Sequence, residues 1–443
     1  MQTQETRKET IQRLIKFRQH AHRLMTQARD AQFELVDALL LDHEAQSPVE
    51  LSLNPVFRRR WSSVYAALSD GEINEAGLMR LYLAHVPRQK RPLWALDTTT
   101  WQRPDAVTLP ERGIYYVPSR VKGNKPIGVG HAYSTVAMIP EVTGSWALPL
   151  RHERVGIDQD AVTFGASQVV DLARQSDVRP LVTVDSHYSN SKWLRATVDA
   201  PFDTLGRLRP NRNLYRRPGP YCGRGTKQRK HGPPLKLKHA DTWQDPDAWL
   251  CVHDDQLGRV EIMVWHDLHF RKAPDREMTV IRIHRLDARG TRRDPKDLWL
   301  MYDGETPFDP VGDWRSYLRR FAIEHWYRFV KNDLLWVNFA GANLYNTQHW
   351  SWLITLAYWQ LWLARPLVLD QPRPWEHTVS APENLTPGRV KRALGGLLTV
   401  IGTPTQPPKP RGNSPGRTLG QKMTSRPRYP VRKKGKPKPK KSA

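Results

Sequence analysis

The sequence predicts an α/β fold with a β-rich insertion, preceded by a helical N-terminal region and followed by further helices and a basic tail. Three observations carry this. From Arg91 onward, strand-like runs (RPLWALDTTTW, RGIYYVPS, HAYSTVAMIP) lead into a helical stretch, AVTFGASQVVDLARQ, and then another strand, RPLVTVDS. Before that point, apolar residues recur at helical rather than alternating spacing. Two later segments are rich in Lys and Arg and hold no acid.

Taken in order, residues 1–88 read as helices (IQRLIKFRQHAHRL, VFRRRWSSVYAAL) separated by polar breaks such as SDGEINEAG, with no clean helix-turn-helix. Residues 89–204 form the first part of the α/β unit. Residues 205–312 are the insertion. It opens with the loop RLRPNRNLYRRPGPYCGRGTKQRKHGPP and continues in strand-like pieces (AWLCVHDD, RVEIMVWHDL, MTVIRIHRL, LWLMYD). Residues 313–401 carry three predicted helices, 313–334, 347–364 and 388–400. Residues 402–443 have almost nothing apolar and are predicted to be disordered.

The formal net charge is +25. Thirteen Lys or Arg lie between Gly402 and Ala443, and eleven between Arg207 and His239, with no acid in either span. The rest of the chain is close to neutral, so the basicity is concentrated, as a polyanionic partner requires. The densest apolar run, Trp350–Leu363, is short of the roughly 20 residues a membrane span needs and predicts a buried helix. The charged N-terminus is no signal peptide, and two cysteines, Cys222 and Cys251, make no disulfide scaffold. A reducing cytoplasm is the simpler expectation, with no membrane partner. His266, His269, Cys251 and His253 lack the second ligand pair that a zinc site needs.

Chemistry points to carboxylates. Asp97 follows the apolar run LWAL and Asp185 follows LVTV, at strand ends where open α/β sheets place their sites. Asp303 after WLMY and Asp370 after PLVL fit the same pattern, so pattern alone leaves four candidates. On a helix spanning 313–334, at 100° per residue, Tyr317, Arg320, Glu324 and Lys331 fall within a stripe of about 60°. A surface helix with an Arg320–Glu324 ion pair is the plainer alternative.

The spacing Tyr317-x2-Arg320-x3-Glu324-x6-Lys331 resembles the Tyr–Arg–Glu–Lys signature of DDE transposases from bacterial insertion sequences. Asp97 in LDTTT and Asp185 in TVDSHYS look like that family's catalytic aspartates, and RLRPNRNLYRRP and WSWLITLAYWQLWLAR are similar to its sequences. The resemblance spans roughly residues 90 to 400. It implies a ribonuclease-H-like catalytic domain whose metal ligands are Asp97, Asp185 and Glu324. It also implies two Mg²⁺ ions, for which Mn²⁺ substitutes, double-stranded DNA as substrate and a homodimer on DNA. Tyr317, Arg320 and Lys331 would then hold phosphates, Arg207, Arg209 and Arg212 would touch DNA, and Trp299 would stack on a flipped base. An ordinary sheet-face role for Trp299 stands beside that reading. Residues 1–88 are expected to bind DNA ends. The rivals are a transposase-derived protein that only binds DNA and a nuclease that only cuts.

Overall fold

The computed structural model describes residues 7–117, 126–220, 229–287, 296–376, 378–410, 416, 418–422 and 424–433. The middle of the basic loop with Cys222, and the last ten residues of the tail, lie outside the described residues.

The α/β part is built from β3 (Leu93–Gln102), β4 (Gly113–Tyr116), β5 (Ile127–Ile139), β6 (Leu148–Val155), α5 (Ala161–Ala173), β7 (Leu181–Val184), α6 (Ser191–Ala196) and β8 (Asp203–Arg207). It is preceded by α1 (Arg7–Leu24), β1 (Met25–Gln27), α2 (Arg29–Leu41), α3 (Ser62–Ser69), β2 (Glu72–Ile73) and α4 (Glu75–Leu83). β5 runs antiparallel to β3, and β6 antiparallel to β5. β7 and β8 run parallel to β3 and to each other, and α5 before β7 and α6 before β8 supply the crossovers that parallel strands need. Asp160 caps α5 by accepting from the Val162 and Thr163 N–H groups. A large mixed sheet with helices packed against it is consistent with a ribonuclease-H-like domain.

The insertion continues the same sheet rather than forming a separate one. β9 (Asn213–Tyr215), β10 (Pro234–Lys236), β11 (Ala248–Asp254), β12 (Gly258–Phe270), β13 (Ala273–Arg285) and β14 (Leu298–Asp303) come next in the chain. β14 pairs antiparallel with β8, and among the described residues the combined sheet has twelve strands. Gly206 in β8 is required by close approach, since a Cβ there would lie 2.3 Å from the Ser189 hydroxyl.

The remaining helices are α7 (Asp313–Arg319), α8 (Ala322–Asn332), α9 (Leu344–Ala364) and α10 (Pro387–Ile401). The predicted single helix over 313–334 is broken. The N–H groups of Arg320, Phe321, Ile323 and Glu324 bond to carbonyls three residues back, tightening the turn between α7 and α8.

The N-terminal helices are not a detachable module. α9 is buried on nearly every face, and α1, α2 and α3 pack on it. Buried polar side chains lock the contact. Arg18 forms a two-pronged ion pair with Asp37 and also bonds Gln360 in α9, and His349 of α9 bonds Gln32. One face of these helices is therefore packed inside the protein, α2 most completely.

Parts of the tail expected to be disordered are docked, among the described residues. Thr405 is 6% exposed and bonds Glu34 and Arg58. Further on, the Tyr429 N–H donates to the Val107 carbonyl, and the Arg432 N–H to that of Arg112. Arg432 forms a parallel bridge with Gly113 and an ion pair with Asp158. Docked backbone hydrogen bonds, which composition does not reveal, order this segment along the edge strand β4.

Candidate active site

β7 ends beside Leu96, with Val184 as its register partner, so Asp97 and Asp185 come directly after it on adjacent parallel strands. Such strands lie about 4.8 Å apart. Asp97 is not at the end of its own strand, as the sequence reading expected. β3 runs on to Gln102 along β5, and Asp97 stands where β3 loses its parallel neighbour.

Asp97 is enclosed, its side chain 14% exposed. Its carboxylate accepts from Arg320 Nη1 at 3.1 Å and from the Thr98 N–H at 2.8 Å. Arg320 thus pairs with Asp97 across the tightened turn, and not with Glu324 along a helix. Burial first, then the carboxylates of Asp185 and Glu324, push Asp97 up to about 7 against the pull of Arg320. Asp185 accepts from the His187 N–H at 2.9 Å. Glu324 sits in the first turn of α8, half-buried.

The helix residues close around these acids. Tyr317 is buried beneath Arg320, whose guanidinium lies 5.9 Å from the ring centre. Burial raises its hydroxyl pKa, with Arg320 and Arg207 opposing. Lys331 donates to the Thr99 hydroxyl at 2.7 Å. Burial lowers its pKa while Glu324 and Asp97 hold it up. The Tyr327 hydroxyl donates to the main-chain oxygen of Asp97 at 3.1 Å, tying α8 to β3. Tyr327 and Thr99 escaped the sequence reading. Their signals were an aromatic hydroxyl one turn past Glu324 and the threonines directly after Asp97.

The basic loop reaches the same rim in part. Arg207 and Arg209 are exposed, and Arg209 bonds Ser186 beside Asp185 at 3.2 Å. Arg212 is half-buried near Arg209, and burial, then the Arg209 charge, lowers its pKa. Arg216 and Arg217 are committed to Asp247 and Glu277. Trp299 is 2% exposed, stacked on Trp265 at 5.7 Å and edge-on to Trp243 at 5.2 Å. Stacking on a flipped base is therefore closed to it in this structure, which supports the sheet-face role.

The two decoys have structural partners. Asp303 binds Arg276, and Asp370 binds Arg389 and the Ser380 N–H. Among the described residues, no three His, Cys, Asp or Glu side chains stand together as a ready-made metal cage. The acids nevertheless suit a hard cation. They offer oxygen only, and burial together with the neighbouring carboxylates of Asp185 and Glu324 raises the pKa of Asp97 against Arg320. Among the described residues, no helix is long and apolar enough to cross a membrane.

A mixed sheet with Asp97 and Asp185 on adjacent parallel strands is consistent with the class of ribonuclease-H-like DDE domains. Residues 18–269, more than half of the chain, match the family described as DDE superfamily endonuclease, and the protein belongs to it. The matched span includes Asp97 and Asp185 and stops before the helix of Glu324. This makes it an endonuclease of the transposase kind, with DNA as substrate class and divalent metal ions as the family's usual cofactor. No curated protein matches it.

Proposed function

We propose that the protein is the transposase of a bacterial insertion sequence. It binds the element's terminal inverted repeats as a homodimer, cuts DNA at the ends and transfers them to a target. Asp97, Asp185 and Glu324 are the catalytic acids. The observation that best supports this reading is the register that sets Asp97 and Asp185 on adjacent parallel strands, with Arg320, one turn before Glu324, bonded to Asp97. Two strands and a helix far apart in sequence spend stability to gather like charges, which is worthwhile where a cation and a phosphate must be handled.

Asp97, Asp185 and Glu324 would together hold the two Mg²⁺ ions. Bound there, the ions supply Lewis acidity to the attacking and leaving oxygens. The protein's own groups orient the DNA. Arg320 can hold Asp97 and a phosphate together, because a guanidinium carries five N–H donors. Lys331, fixed on Thr99, offers a point charge at the rim, and Tyr317 supports Arg320 from below. Arg207, Arg209 and Arg212 extend the cationic border past Asp185.

The test incubates the purified protein with DNA carrying its element's ends and Mg²⁺. Joined products are expected. Cut but unjoined products would make it a nuclease, and binding without chemistry a DNA-binding derivative.

A further inference from the structure

The docked tail builds a second surface. Between α3, the loop before β4, the turn leading into α9 and the tail lies a cleft of about 600 Å³. Tyr65, Thr108, Phe339, Asn346, Arg426 and Tyr429 line it, and among the described residues no carboxylate does. Tyr65 is 52% exposed and meets the exposed Trp61 edge to face at 6.3 Å. The tail contributes Arg426, Pro427 and Tyr429 to one wall, and the described stretch 424–433 around them holds Arg426, Arg428, Arg432 and Lys433 and no acid, Arg432 being paired with Asp158.

One strand links the cleft wall to the candidate site, since Arg103 just past its end holds the lining residues Phe339 and Gly341. Along β3 and just past its end, residues in alternation grip the segment 320–341. Asp97 holds Arg320, Thr99 holds Lys331, Trp101 donates to the Val337 carbonyl, and Arg103 donates to the Phe339 and Gly341 carbonyls. At about 3.3 Å per residue, the six steps from Asp97 to Arg103 cover roughly 20 Å. That is about six nucleotides of duplex at 3.4 Å each.

We infer that this cleft binds the phosphodiester backbone of the same DNA about half a helical turn from the cut. The inference rests on the proposed DNA-processing role. Phosphate contacts draw on the groups found here: Arg, Asn, Thr and Tyr side chains flanked by further cations. A tail docked in place presents these cations at a fixed position, whereas a free tail would spread them over a volume.

The test is binding of a random-sequence duplex without metal, read by fluorescence anisotropy across a salt series. It uses the full-length protein and two variants at exposed positions, Arg426→Glu and Tyr65→Ala. Arg426→Glu is expected to weaken binding about tenfold and to make the log–log salt slope shallower by about one. Tyr65→Ala is expected to weaken binding several-fold with the slope unchanged, because it removes no charge. Wild-type affinity and slope in both folded variants would overturn the cleft and leave the cleavage reading standing. A wild type that binds no duplex would overturn both.

Discussion

In the inserted half of the sheet, acids come with cations of their own. Asp247 has Arg216, Glu277 has Arg217, Asp303 has Arg276 and Asp297 has Arg282. In the half made by β3 and β7, Asp97 has one arginine, Arg320, with two further carboxylates close enough to raise its pKa. One-to-one pairing satisfies charge and holds strands in register. A surplus of acids does neither, and would be relieved by a bound cation. Apolar runs precede acids in both halves, so the difference lies in the partners brought from elsewhere in the chain.

The largest expected effect comes from that contrast. Asp97→Ala, Asp185→Ala and Glu324→Ala should each cut DNA slower by orders of magnitude, with DNA binding retained. Asp303→Ala should cut at near-normal rate and lose about 1–3 kcal/mol of stability, because Arg276 is left unpaired. A gel assay and melting curves read both, and normal cutting by folded Glu324→Ala would remove that helix from the site. A comparable structural effect should come from Trp299→Ala, expected to cost about 3–5 kcal/mol by emptying an aromatic core. Trp299→Phe should leave end binding intact, and a selective loss of end binding would restore a DNA-stacking role.

Proton linkage sharpens the comparison. Asp97 is held up at about 7 in the fold, against about 3.9 when unfolded. Between those values the folded state binds the extra proton. The stabilisation is fully present below about 3.9 and lost as pH rises through about 7. Metal-free protein should therefore lose this contribution by about pH 8, and Mg²⁺ should raise the melting temperature more there than at about pH 6. Asp97→Asn should remove that pH dependence, and an equal Mg²⁺ effect at both pH values would break the argument. The smallest effect concerns Tyr327→Phe. Losing one hydrogen bond between α8 and β3, worth about 1 kcal/mol, should raise the Mg²⁺ needed for half-maximal cutting several-fold. DNA affinity without metal should not move.

The chemistry was legible in short-range pattern. An apolar run before Asp97, another before Asp185, and four residue types at fixed spacing around Glu324 point to one place. Pattern could not separate Asp97 from Asp303 or Asp370, because Arg276 and Arg389 reach those acids from other elements. It also made one helix of 313–334, since the tightened turn at Arg320 depends on Asp97, far away in sequence. Composition marked the tail as disordered because it counts apolar side chains. Thr405, Tyr429 and Arg432 are held largely by polar and backbone hydrogen bonds. The N-terminal helices were seen, but not their partner, since α9 lies at the other end of the chain.

That last pairing sets the order in which the molecule can come into being. A ribosome delivers α1, α2 and α3 long before Leu344, where their partner helix begins. Until α9 emerges, Phe17, Phe33 and Leu39 have no helix 344–364 to pack against. Contacts closing across such a span form late, and the waiting apolar surface invites aggregation. Glu324 also arrives 227 residues after Asp97. A chain released before α9 is complete therefore lacks the scaffold that its N-terminal helices require. Such early-terminated products are expected to be prone to aggregation and proteolysis.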